Sequence, residues 1–131
     1  MNNFEKNEKN FKKMYYYYTE RVKNVVYPKE ELENCNEKEL KKRRIEMLKL
    51  KYIHSKRVVE AVKRINDESK NELLNELVYT SGLLHDYGRF IQAIYHDSYL
   101  EAEKFYKSHG YNGHGEVGYK LLFEFNEIKN F

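Results

Sequence analysis

Glycine does not occur before Gly82, and Pro28 is the only proline, so the first two-thirds of the chain has almost none of the residues that break helices or turn strands. Helices are the reading that this leaves. Phe4, Phe11, Met14, Tyr18 and Val22, with Tyr15, Val25 and Val26 beside them, recur at three- and four-residue steps and predict an amphipathic helix ending before Pro28. Asn36 followed by Glu39 has the form of a helix start. Leu40, Met47, Leu48 and Ile53, then Val58, Val59, Ala61, Val62 and Ile65, carry one long helix, or two in succession, to the polar stretch NDESKN at 66–71. Leu73, Leu74, Leu77, Val78 and Leu84 mark the next helical face, which Gly88 is predicted to close in a left-handed turn. Shorter helices follow around Phe90, Ile91 and Ile94 and around Leu100, Ala102 and Phe105. The loop GYNG at 110–113 leads to a last helix with Val117, Leu121, Leu122 and Phe125. The fold class expected is all-α, a bundle of about six helices.

At 131 residues, 40% of them hydrophobic, the chain suits one domain with one core. Cys35 is the only cysteine and has no partner for an internal disulfide, which fits a reducing cytoplasm. The polar N-terminus lacks the apolar block of a secretion signal, and no apolar run approaches the length of a membrane span, so a soluble protein without a membrane partner is expected. The net charge of +3 arises from interleaved basic and acidic residues, which weighs against nucleic acid as a partner. The one basic cluster, KELKKRR at 38–44, reads as a solvated helix face, and the run YYYY at 15–18 as core and rim packing.

The stretch GLLHDYGRF at 82–90 places a histidine and an aspartate together at the end of an apolar helical run. If the preceding helices turn near Glu68, His54 lies 14 residues before the turn and His85 lies 17 after it. At about 1.5 Å of rise per residue, antiparallel helices then bring the two imidazoles within about one turn in height. Helical spacing aligns His54 with Val58, Ala61, Val62 and Ile65, and His85 with Ser81, Val78 and Leu74, so both rings are expected to point inward. Inward imidazoles and a buried carboxylate at Asp86 need partners, and either core hydrogen bonds or a shared metal ion supplies them. Small residues one turn earlier, Ser81 and Gly82, leave room for an ion.

HSKRVV at 54–59 followed by LLHDYGRF at 83–90 resembles the HD-domain superfamily of metal-dependent phosphohydrolases. The resemblance covers about residues 40–125. It implies an HD-domain-like bundle at 36–131, preceded by an N-terminal helix and connection at 1–35, with His54, His85 and Asp86 binding a divalent metal. HGEVGYKLL at 114–122 is similar to the stretch that gives binuclear members an additional histidine, so His114 would bind a second ion bridged by Asp86. A second pair, His96 and Asp97, lacks the flanking pattern and reads as surface, and His109 reads as exposed.

The implied chemistry is phosphoester hydrolysis on a nucleotide or other small phosphorylated substrate, with one or two divalent ions activating water. Asp86 and Arg89 are the catalytic candidates, and Arg57 and Arg89 are candidates for holding the substrate phosphate. Mixed nitrogen and oxygen ligands suit manganese, iron, cobalt or nickel better than magnesium. The family pattern closes with a further downstream aspartate, yet no aspartate follows Asp97. The expectation is that the chain lacks the final family helices, that apolar surface so exposed favours a homodimer, and that the alternative to an enzyme is a catalytically incomplete HD-fold module.

Overall fold

Among the described residues four helices begin alike, with a side-chain oxygen accepting the backbone N–H three residues on. Asn2 caps Glu5 at 2.8 Å, Asn36 caps Glu39 at 2.8 Å, Asn71 caps Leu74 at 3.0 Å and Ser98 caps Glu101 at 3.2 Å. The computed structural model describes residues 2–32, 35–96 and 98–122. Within them run α1 (Asn3–Asn24), a single 3-10 turn (Lys29–Leu32), α2 (Glu37–Ile65), α3 (Glu72–Leu84), α4 (Gly88–Tyr95), α5 (Tyr99–Ser108) and α6 (His114–Leu122), and no strand occurs among the described residues. The all-α architecture expected from the sequence is the one found. The stretch from Leu40 to Ile65 is one helix rather than two. Phe125 of the expected last helix lies outside the described residues.

The first three helices pack on one another, α4 crosses α1 and α2, and α6 lies on α4 with α5 beside both. Phe11, Met14 and Tyr18 of α1 meet Leu48 and Val59 of α2, Leu83 of α3 and Phe90 of α4 in one apolar core. Aromatic rings fill much of it. Phe11 stacks on Phe90 at 5.2 Å and Tyr15 on Tyr52 at 4.4 Å, and the buried hydroxyls of Tyr18 and Tyr87 satisfy each other at 3.1 Å. Of the tyrosine run, Tyr18 is buried, Tyr15 half-buried and Tyr16 and Tyr17 exposed, as core and rim packing requires.

Three sequence expectations need correction. Gly88 does not close α3 in a left-handed turn: among the described glycines only Gly110 (φ 88°) and Gly113 (φ 142°) have positive φ. Gly88 instead opens α4, where a Cβ would lie 2.1 Å from the His114 carbonyl oxygen, and Gly118 of α6 answers it, with a Cβ 2.8 Å from the Gly88 nitrogen. Closeness of two backbones, not handedness, is what glycine supplies there. The leucine face of α3 is largely outside: Leu73 is 67% exposed, and Leu74 and Leu77 are exposed too, while Thr80, Leu83 and Leu84 are buried. Tyr79 against Phe4 (5.6 Å) and Asn75, bonded to Asn66 and to the Ser69 carbonyl, set the roll of the helix. Finally, Arg44 of the basic cluster is buried. Its guanidinium covers the Tyr27 ring at 4.6 Å and donates to the Ile94 carbonyl at 2.7 Å, where the Tyr27 hydroxyl also donates. An end carbonyl of α4 is thereby satisfied by two donors.

Candidate metal centre

Between α3 and α4 the α-helical ladder gives way to short bonds, from Tyr87 N–H to the Leu84 carbonyl (3.1 Å) and from Arg89 N–H to the Asp86 carbonyl (2.8 Å). His85 and Asp86 sit in this break. His85 Nδ1 lies 2.7 Å from the Gly82 carbonyl, an acceptor only, so Nδ1 carries the proton and Nε2 faces Asp86 Oδ2 at 3.2 Å. From α2, His54 brings its own Nε2 to 3.4 Å from the same oxygen. The two rings are 5.3 Å apart, level on neighbouring antiparallel helices.

Their orientation differs from the inward one expected. The His54 side chain is 47% exposed and that of His85 38%, whereas Asp86 is only 11% exposed. Of the residues aligned with them, Ala61, Ile65, Leu74 and Ser81 are exposed. The seam where Val58 and Val62 meet Gly82 runs along an edge of the bundle, since α1 and α4 take the other sides of α2. A carboxylate at the floor and two imidazoles at the rim result.

His114, at the start of α6, stands on the other oxygen of Asp86, with Nε2 2.9 Å from Oδ1. Glu103 of α5 holds it there, accepting the His114 backbone N–H at 3.0 Å and lying 2.5 Å from Nδ1. Gly113 makes this possible, because a Cβ at that residue would come within 2.7 Å of Glu103 Oε2. Arg89 points to this support, 3.2 Å from Glu103 Oε1 and donating to Gln92 Oε1 at 2.9 Å. Arg57 is exposed, one turn beyond His54. His96 is half-buried against Phe105 (5.1 Å) rather than free on the surface, Asp97 lies outside the described residues, and His109 is exposed as expected.

Two members of the site carry no sequence motif. Lys51, one turn before His54, reaches Asp86 Oδ2 at 3.2 Å, and its spacing along α2 was the only available signal. Glu103 arrives through tertiary packing, which no local pattern announces. Burial pushes the Asp86 carboxyl up, but the His85 ring, Lys51 and His114 outweigh it and hold the group below its ordinary value of 3.8. Glu103 behaves alike: burial raises it most, but the hydrogen bonds and charge of His114 and then Arg89 together outweigh that and hold it below 4.5.

The donor set fits a divalent ion. His54, His85 and Asp86 each offer a ligand atom, and all three atoms lie within 4.8 Å of one another. Ligands about 2.1 Å from one ion stand about 3.0 to 3.4 Å apart in octahedral or tetrahedral geometry, which the two imidazole-to-carboxylate distances match. The two Nε2 atoms and the carboxylate oxygen are all atoms of ligand type, so a shared cation would account for their convergence.

No described helix is long and apolar enough to cross a membrane. Comparison of the chain with curated proteins and with solved structures gives no significant match. A family model described as HD domain matches residues 52–131, a span that holds His54, His85, Asp86 and His114. With more than half of its length matched and the histidine and His-Asp elements of that family meeting in one place, the chain belongs to the HD domain family.

Proposed function

We propose that the protein is a metal-dependent phosphohydrolase that cleaves a small phosphoester, a nucleotide among the candidates. The observation that carries this reading is the meeting of His54 and His85 on Asp86 Oδ2 at an exposed rim. Three protein donors with an open side are the pattern of a catalytic rather than a structural ion site. When bound, a divalent ion supplies polarisation of a phosphoryl oxygen and an activated water. The residues supply the rest. Asp86 anchors through Oδ2, and the Gly82 carbonyl fixes the His85 ring so that Nε2 is the nitrogen offered. Glu103 behind His114 is the carboxylate that would orient an imidazole ligand, which supports His114 and Asp86 as the residues that would hold a second ion. Manganese, iron, cobalt or nickel suit this set better than magnesium. Arg89 contributes by holding Glu103, and exposed Arg57 is the arginine left facing solvent to meet a phosphate.

The test is elemental analysis together with phosphate release from a panel of nucleotides and simple phosphomonoesters. Wild-type protein should hold near-stoichiometric transition metal and release phosphate, and His85→Ala should lose both. Metal without turnover would assign the chain to the binding-only alternative, and metal-free wild type indistinguishable from His85→Ala would end the metal-centre reading.

A further inference from the structure

Lys51 is part of the candidate centre that neither histidine chemistry nor the arginines account for. Its ammonium lies 3.2 Å from Asp86 Oδ2, the oxygen that His54 and His85 approach at 3.4 and 3.2 Å. Three nitrogens thus crowd one oxygen with two lone pairs, and Lys51 alone always brings a donor to it. A carboxylate as enclosed as Asp86 needs such a cation when no other is present. An ion on that same oxygen would meet the ammonium as a like charge. The lysine has a way out, since its flexible four-carbon stem leaves the side chain 22% exposed at the rim.

We infer that Lys51 is a resident counter-ion that competes with the metal for Asp86 Oδ2: it neutralises the carboxylate while the ion is away and withdraws to the mouth of the site when the ion arrives. This rests on the metal-centre reading. Two consequences follow for the protein. Its ion affinity is set below what the three ligands alone would give. The displaced ammonium is left beside the ion, where an anionic group of the substrate would find it.

Calorimetric titration with Co²⁺ of wild type, Lys51→Met and Lys56→Met tests the competition. Lys56 is an exposed lysine on the same helix, and its removal controls for the change in net charge. Lys51→Met should bind Co²⁺ about tenfold more tightly than wild type, and Lys56→Met within about twofold of it. A difference of about 1.4 kcal/mol corresponds to that tenfold change. The melting temperature of ion-free Lys51→Met should fall, and its rise on adding Co²⁺ should exceed that of wild type. Equal or weaker binding by Lys51→Met overturns the inference while leaving the metal centre standing. No Co²⁺ binding by any of the three proteins removes both.

Discussion

Asp86 and Glu103 carry two predictions at the scale of the single residue. Both carboxyls titrate below their ordinary values of 3.8 and 4.5 in the folded chain, so the unfolded chain binds protons first as pH falls. Their contribution to stability is therefore complete above about pH 4.5 and is lost as pH drops through the lowered folded values. Denaturant midpoints followed from pH 6 downward should decline in wild type, and less steeply in Glu103→Gln; parallel declines would exclude Glu103 from that role. The same substitution removes the acceptor behind His114 and, on the phosphohydrolase reading proposed above, should lower phosphate release by about 10- to 100-fold while leaving the helical spectrum unchanged. The levels of His54 and His85 on neighbouring helices were legible from spacing, and the part given to them with Asp86 came from the resemblance of HSKRVV and LLHDYGRF to the HD-domain superfamily. Glu103 was not, because its partners lie 11 and 14 positions away, at His114 and Arg89, and only packing joins them.

Helices reveal a different contrast, between glycines that permit contact and one that does not. Gly88 has the His114 carbonyl 2.1 Å from where a Cβ would stand, whereas Gly115 of α6 has nothing within 4 Å. Gly88→Ala should push α6 off α4 and destabilise by at least about 2 kcal/mol, as overpacking does. Gly115→Ala, by helix propensity, should stabilise by up to about 1 kcal/mol. Thermal unfolding of the two variants checks this, and similar melting temperatures would refute the close-approach account. Gly88 shows why sequence reading misplaced it: a glycine after a helix has the same local signature whether it turns the chain or admits a neighbour. Arg44 misled for a related reason, since five basic residues among seven read as a wet face until Tyr27 and the Ile94 carbonyl supply a buried place for one of them.

The whole molecule follows its periodicity closely for α1 and less closely for α3. A helix with leucines at 73, 74, 77, 83 and 84 offers two plausible apolar faces, and the choice between them belongs to Asn75 and Tyr79 and their partners on other elements. Leu83→Ala should accordingly cost about 2 to 5 kcal/mol, while Leu73→Gln should stay within about 0.5 kcal/mol of wild type; comparable losses in chemical denaturation would show that the leucine face is covered after all. The edge position of the His54 and His85 rings also has a kinetic meaning. Because the imidazoles that would grip an ion stand half open to solvent, loading and stripping need only side-chain motion, and chelators should empty the protein without melting it, leaving a bundle ready to be recharged.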